Sequence, residues 1–588
     1  MKNIKKIFRI LDFKNKKKFI ILLFFIILTA FLETISVTMV IPLVSFLVDS
    51  QDYLNRVVSS DVHIIKNLGI FLQGLNFQEI ILLFLILIIF LFIIKSLIIS
   101  LALWLTAGFV ASVENSTSKK LFGFYLRQNY SIHLYRDSSV LLQNFVQEVS
   151  RFASTACLPL LNLITESLVL VSITLILFII EPYVSIIIFI FLAIISSLYF
   201  ILLKTKMKNW GEQRIFYMQK RLQDVTQSIG GIREILLMWR QEFFSKKFMV
   251  STVGATNVGK KQYFFINIPK VIFELSAVLA LVFLIYFLFF VKNSQNDVVS
   301  VIALFAAAAF KLIPSANRIL NALQSLRFSI PNVDRIYSDI IKVDRTKSQS
   351  ITPSKNLNKD INFENSVELK NIYFSYNSGK SRKDILTKLN LKIKKGDVIG
   401  LVGETGSGKT TLVDLFLGLL SPEKGQILID GKNLDSSNRK SWQNIIGYVP
   451  QDVYLINDSI KKNIAFGLED KEINLNRINH VINTCKLERL VQNSSKAIDT
   501  YIGERGSNLS GGQRQRIGIA RALYNDPKIL MFDEATSSLD SQTETEILKE
   551  IFKIKKDKTV IMISHKHSTL NNCDKIYELS NGILNLVK

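Results

Sequence analysis

The sequence predicts two parts: a bundle of six membrane-spanning α-helices, then an α/β domain built around a phosphate-binding loop. Three observations predict it. Long apolar runs recur between residues 19 and 323, and about 20 apolar residues are what a helix needs to cross a bilayer. From Asn362 onward the apolar runs shorten to strand length and alternate with helical patterns, the signature of an α/β domain. Within that second half, Gly403-Glu404-Thr405-Gly406-Ser407-Gly408-Lys409-Thr410 fits G-x-x-x-x-G-K-[ST].

Composition decides between two readings of the charge. The 588 residues carry a formal net charge of +24, which suits nucleic acid or an anionic membrane face. Hydrophobic residues make up 49% and mean hydropathy is +0.29. With those residues clustered in long runs, the membrane reading wins and no nucleic-acid partner is expected. Cys157, Cys485 and Cys573 lie far apart without metal-ligand spacing, and all three read as reduced and structural. No cleavable signal peptide is expected, because the first apolar run is too long.

Residues 1–18 are basic, with Ile4, Ile7, Phe8 and Leu11 at helical spacing, and read as an interfacial helix on the cytoplasmic face. The membrane domain is placed at 19–330. Its spans are expected near 19–48, 79–109, 158–180, 183–203, 271–291 and 298–323. The first contains Glu33 and Pro42, both unusual in lipid, and Glu181-Pro182 marks a tight turn between the third and fourth. Residues 50–78 are mixed in character and are placed outside, with a short helix against the membrane. Lysines and arginines crowd the segments between spans two and three and between spans four and five, which puts both in the cytoplasm. Each segment is expected to continue its spanning helices and to turn back through a short connector, near 132–137 and 229–234.

Three cations stand inside or at the edge of spans: Lys95, Lys270 and Lys311. A lysine at membrane depth costs about 2.5–3.5 kcal/mol on insertion scales, so such residues face a water-filled cavity or a partner. Lys270 can pair with Glu274 at i,i+4 or snorkel to the interface. Lys311 can neutralise Glu33 or Glu166, whereas Lys95 has no partner nearby in sequence. Together the three are candidate substrate residues for an anionic cargo.

Residues 331–361 read as a linker, and 362–588 as the α/β domain. Val398–Val402 is expected as a buried strand and Thr411–Leu420 as the helix after the loop. Glycines let the loop backbone approach phosphate at a helix N-terminus. Lys409 is expected to reach the β- and γ-phosphates, and Thr410 to place its hydroxyl on Mg²⁺. Ile529–Asp533 reads as a buried strand ending in an acid that suits Mg²⁺. Glu534 follows, where a carboxylate can polarise an attacking water. Leu509-Ser510-Gly511-Gly512-Gln513 opens another helix with free N–H groups. His565 stands at the end of a strand over 560–564, within reach of a γ-phosphate. Tyr376 can stack on adenine, although strand aromatics are more often core.

These pieces together resemble an ABC transporter of the exporter type, over essentially the whole chain. The resemblance implies ATP and Mg²⁺ as cofactors. It makes Tyr376 the adenine-stacking aromatic and Gly403–Thr410, with Thr411, the phosphate loop. Gln451 becomes a metal-contacting glutamine, Ser510, Gly511, Gly512 and Gln513 the signature, and Asp533 the metal-holding acid. Glu534 becomes the catalytic glutamate, Ser538-Leu539-Asp540 the following loop and His565 the switch histidine, with Lys409 sharing catalysis. It further implies a homodimer that sandwiches ATP between the loop of one copy and the signature of the other. The expected location is the bacterial inner membrane, with the N-terminus and nucleotide domain cytoplasmic. Within the exporters, Lys311–Ile319 and Glu33-Thr34 resemble PglK-type flippases of lipid-linked oligosaccharides, whose cavity cations are arginines where Lys95, Lys270 and Lys311 stand. That likeness implies an anionic polyprenyl-pyrophosphate glycan as cargo. Export of peptides or amphiphilic drug-like cargo is the alternative, and a nucleotide-gated channel a third reading.

Overall fold

The computed structural model describes residues 2–48, 50–59, 63–135, 138–180, 182–290, 298–348, 361–378, 381–535, 542, 544–547, 549, 558–564, 570 and 573–588. The chain divides into two compact units, Met1–Gln128 with Arg136–Thr346, and Asn129–Tyr135 with Lys347–Lys588.

The first unit is helical. Its elements are α1 (Lys2–Ile10), α2 (Phe13–Thr38), α3 (Val40–Val48), α4 (Ser50–Val58), α5 (His63–Gln73) and α6 (Phe77–Leu126). α7 (Tyr130–Tyr135) belongs to the second unit. α8 (Ser138–Leu142), α9 (Val149–Phe152) and α10 (Leu158–Ile180) form one continuous helix joined by two π-helical segments, Gln143–Glu148 and Ala153–Cys157. α11 (Pro182–Gly230), α12 (Ile232–Leu237), α13 (Gln241–Phe290) and α14 (Val298–Ser348) complete the unit.

Among the described residues, five helices are long and apolar enough to cross a membrane: Phe13–Ser36, Phe77–Leu126, Ser139–Ile179, Ser185–Gly230 and Gln241–Phe287. The sixth expected span coincides with the first half of α14 and is not one of the five. α6 has 50 residues, about 75 Å at the rise of an α-helix, against a hydrocarbon core of about 30 Å. Its C-terminal half therefore extends well outside the bilayer, as expected for the segment after the second span.

Two expectations for the N-terminal region are corrected. The first span is not continuous over 19–48: α2 ends at Thr38 and α3 starts at Val40. Pro42 is the third residue of α3. A proline lacks the N–H that a continuing helix would need and is tolerated only in a first turn. The basic N-terminal helix is also not an interfacial helix of 18 residues. It stops at Ile10, and residues 13–18 already belong to α2. The apolar side chains of Ile7, Ile10 and Leu11 are buried against Val333, Ile336 and Ile340 of α14, and Lys6 pairs with Asp334 at 2.6 Å. Its apolar stripe is thus covered by protein rather than by lipid.

The second unit contains two sheets. Their strands are β1 (Ser366–Ser378), β2 (Ser381–Lys394), β3 (Val398–Val402), β4 (Lys424–Ile429), β5 (Lys432–Asn433), β6 (Ile446–Val449), β7 (Ile529–Asp533), β8 (Thr559–Ile563), β9 (Lys575–Ser580) and β10 (Ile583–Leu586). The smaller sheet is antiparallel in the order β2-β1-β4-β5, and the larger runs β10-β9-β3-β8-β7-β6. In the larger sheet β3, β8, β7 and β6 are parallel neighbours. Their near-continuous apolar sequences follow from burial on both faces. The helices are α15 (Lys409–Phe416), α16 (Arg439–Asn444), α17 (Ile460–Ile464), α18 (Leu475–Thr484), α19 (Glu488–Gln492) and α20 (Gly511–Tyr524). The helix after the phosphate loop starts two residues earlier and stops four earlier than the expected 411–420. Gly418, at φ +67°, follows its end, a backbone conformation that stops a helix.

Candidate functional site

Parallel strands put their carboxyl ends at one edge, where ligands bind in open α/β sheets. β3 and β7 are separated only by β8, so the loop after Val402 and the acids after Phe532 emerge side by side. The loop needs its glycines. Gly406 and Gly408 have φ of +86° and +105°, and a Cβ on Gly408 would crowd Ile385. Gly408 caps α15, so Lys409 and Thr410 form its first turn, at the positive end of the helix dipole.

Lys409 Nζ donates to the carbonyl oxygens of Gly403 and Glu404, at 2.5 and 2.9 Å. It also lies in the field of Glu534 and Asp533. Burial raises the Asp533 carboxyl, the charge on Glu534 raises it further, and the Tyr448 hydroxyl and Lys409 oppose the shift. Tyr448 donates to Asp533 Oδ2 at 3.2 Å. Asp414, on the buried face of α15, is pushed up to about 6 by desolvation and then by the charge on Asp533. Gln451 Nε2 donates to Glu534 Oε2 at 2.7 Å. Glu534 itself has φ +48°, an uncommon conformation for a side-chain-bearing residue.

Tyr376 shares a 3.2 Å hydrogen bond with Thr411 Oγ1 and stacks edge-on against Phe374. Ser510 caps α20: its hydroxyl accepts from Gln513 N–H at 3.2 Å, and Gln513 Oε1 accepts from Ser510 N–H at 2.9 Å. The reciprocal pair satisfies two donors of the first turn. Gly511 and Gly512 leave that turn without side chains. Ser538-Leu539-Asp540 and His565 lie outside the described residues. Sequence reasoning missed Tyr448 and Asp414. Asp414 had a readable signal, one acid between Leu412-Val413 and Leu415-Phe416; Tyr448 had none.

A magnesium–nucleotide suits these residues. Asp533 repels Asp414 and is repelled by Glu534 in a partly buried space, which a cation relieves. Ser407 Oγ is buried without a hydrogen-bond partner. Among the described residues no three His, Cys, Asp or Glu side chains converge as a metal cage. Magnesium in phosphate sites is held by one or two carboxylates plus the phosphates.

The family model described as ABC transporter matches residues 386–537, and the one described as ABC transporter transmembrane region matches residues 19–312. The chain belongs to the ABC transporter family. Its transmembrane region and its nucleotide-binding domain are fused in one chain. A bacterial Atm1-family ABC exporter solved with ATP bound shares its fold. The TM-score is 0.76 at 19% identity, over 97% of this chain and 94% of that one. Leukotoxin translocation ATP-binding proteins LktB from Pasteurella haemolytica-like sp. (strain 5943B) and Mannheimia glucosida are each 44% identical over 216 residues. That match spans 37% of this chain and 30% of the length of each relative.

The first unit holds a second charged site. Lys311 Nζ pairs with Glu33 Oε1, joining α14 to α2. One helical repeat further on, Arg318 makes a two-pronged contact with Glu166 of α10. Lys95 lies within electrostatic reach of both Glu33 and Lys311 and sits over the Phe92 ring at 4.8 Å. As expected, Lys95 has no partner nearby in sequence; the charges that act on it come from distant helices. Among the described residues it has no carboxylate within ion-pair distance, so Lys95, Lys311 and Glu33 together leave one positive charge uncompensated. Lys270 is exposed, 3.9 Å from Glu274, and has a local partner on its own helix.

Proposed function

We propose that this exporter works as a homodimer in the bacterial inner membrane and uses ATP to move an anionic amphiphile, with a polyprenyl-pyrophosphate-linked oligosaccharide as the leading cargo. The observation that carries the cargo reading is the uncompensated positive charge at Lys95, Lys311 and Glu33. In a low-dielectric space such a charge attracts phosphate strongly. Lys270 is the weakest of the three candidate substrate residues.

In the motor site, backbone N–H groups of Gly403–Thr410 and the α15 N-terminus cradle the phosphates, and Lys409 turns from the loop carbonyls to the β- and γ-oxygens. Thr410, Asp533 and Gln451 would hold Mg²⁺, which when bound offsets phosphate charge. Glu534, oriented by Gln451, takes the proton of the attacking water. Tyr376 and Thr411 border the adenine end, and His565 contacts the γ-phosphate. Ser510–Gln513 of the second copy closes the site.

The dimer reading is supported by an apolar tip on the first unit. Leu236, Leu237, Met238 and Trp239 are 54 to 84% exposed, around the short α12 at the expected connector. Tyr454, Phe466 and Tyr501 are exposed on the second unit. Apolar clusters of this kind mark interaction sites, and we assign them to contacts between copies. Mixing Ser510→Arg with Lys409→Ala protomers tests this. Mixed dimers retain one composite site free of both changes and trap ATP above either parent; no gain over the parents overturns the shared site.

A second cargo reading is favoured by the relatives, which are described as leukotoxin translocation proteins. The deciding experiment is ATPase activity in nanodiscs with polyprenyl-pyrophosphate glycan against a polypeptide substrate. Stimulation by the glycan alone, lost in Lys95→Gln, supports the flippase. Stimulation by polypeptide alone replaces it with protein export.

A further inference from the structure

A cavity of about 380 Å³ lies inside the first unit, between α10, α11, α13 and α14. It is separate from the charged site: α14 sends Lys311 and Arg318 to α2 and α10, and turns Ala308, Ala316 and Leu320 to the cavity. Its floor is closed, with Leu284 and Ala308 each 1% exposed, and its rim is open at Phe189, 46% exposed. An engineered cavity of about 150 Å³ already holds benzene. Left unfilled, a space this large makes its walls forfeit contacts, which favours an apolar occupant.

Water is a poor occupant. Four of the hydroxyls on the walls donate within the protein: Thr174 to Leu170 O at 2.7 Å, Ser185 to Leu177 O at 2.8 Å, Ser196 to Leu192 O at 2.7 Å and Ser276 to Ile272 O at 2.7 Å. A buried water needs two to four polar partners, and with four of the five wall hydroxyls spent on backbone, Ser197 is left as the fifth. Shape then narrows the choice. The cavity follows α14 from Phe305 to Leu323, about 27 Å of helix rise, close to the thickness of the hydrocarbon core. Such a volume spread over such a length is a slot for one linear chain, not a chamber for a compact molecule. Three of its four walls, α10, α11 and α13, belong to helices long and apolar enough to cross a membrane, where acyl chains are the surrounding solvent.

We propose that the slot holds one acyl chain of a bilayer phospholipid, inserted past Phe189 and wedged between the helix pairs α10–α11 and α13–α14.

The test uses the full chain in nanodiscs containing phosphatidylethanolamine with a diazirine at mid-chain, with crosslinks mapped by mass spectrometry. Labelling at Ala277, Ala280 and Leu284 is expected at least fivefold above that at the exposed α6 residues Leu97 and Trp104. Ala280→Phe, which fills the slot, is expected to bring it down to that level. If Ala280→Phe fails to assemble, Ala316→Leu decides, with at least a twofold loss expected. Labelling no higher than on α6, or unchanged by the filling variants, overturns the proposal. Loss of the label on adding unlabelled polyprenyl phosphate also overturns it, since the slot would then belong to a cargo tail.

Discussion

The phosphate loop and the intramembrane charge cluster both gather ions where water is scarce, but they are assembled in opposite ways. Lys409 meets carbonyls five and six residues away, and the loop that makes it useful is one uninterrupted octapeptide. Lys311 and Glu33 are 278 residues apart, and Arg318 and Glu166 are 152 apart. The motor site carries surplus negative charge, suited to a cation and its phosphates. The membrane cluster is nearly neutral, with one positive charge left over. A site written in contiguous backbone geometry survives side-chain changes that would dismantle one written only in pairs.

The sharpest way to break this comparison is at the motor. Glu534→Gln removes the carboxylate that takes the proton but keeps its volume and a partner for Gln451. A positioned base contributes about 10²–10⁴ in rate, so hydrolysis is expected to fall by that range while ATP binding persists. Near-wild-type turnover would remove Glu534 from the chemistry.

The next largest effect lies in the membrane. Lys311→Gln leaves Glu33 facing Lys95 alone, and breaking one member of a buried pair costs about 3–5 kcal/mol. Lys311 is 25% exposed at its side chain, so the lower end is expected. Glu33→Gln with Lys311→Gln is expected to recover about 1–3 kcal/mol of that loss as coupling energy, read from thermal inactivation in nanodiscs. Additive losses would mean the pair contributes nothing. The same double variant keeps Lys95, so surviving glycan stimulation would locate the useful charge there.

A smaller effect tests the surplus negative charge at the motor. The folded-state value of Asp414 is about 6, raised from an ordinary 3.8. Ionising it in the fold is therefore unfavourable. The cost is absent below about pH 4, grows between pH 4 and 6, and is complete above. Asp414→Asn is expected to stabilise the nucleotide-free, metal-free chain by about 1–2 kcal/mol at pH 7.5, after allowance for solvent screening, and not at pH 4. A gain of equal size at both pH values would show that charge is not the cause.

The same contrast explains what was legible. Val398–Val402, the loop and Ile529–Asp533 could be read because each is a local pattern, and the structure places strands at those bounds. The long extensions of the spanning helices could be read because a span that continues in polar residues without proline has nothing to stop it. The break at Met39 was missed because Pro42 sits just inside a second helix, where it is tolerated. The packing of Ile7, Ile10 and Leu11 on α14 was missed because an amphipathic helix does not say whether lipid or protein covers its apolar stripe. Partner choice at Lys95 and Lys311 needed the fold itself.

Tyr448 is where the comparison can be sharpened most finely, because it is a long-range partner inside the otherwise local motor site. It lies 85 residues from Asp533, to which it donates. A donor to a carboxylate favours the ionised form, so this hydroxyl offsets part of the upward push that burial gives Asp533. Tyr448→Phe keeps the ring and removes only that donor. The Asp533 carboxyl then rises, and a more alkaline solution is needed before it can hold a cation. A single hydrogen bond is worth about 1 kcal/mol net, which corresponds to about 0.7 of a pH unit. The acid limb of the ATPase pH profile is therefore expected to move up by about that much, while the rate above pH 8 stays within about fivefold of the parent, the same 1 kcal/mol at most. A uniform loss of rate at all pH values would assign Tyr448 to packing of β6 instead. An unmoved acid limb would mean that Asp533 is set by its contiguous neighbours alone, and the motor site would then be as local as its octapeptide suggests.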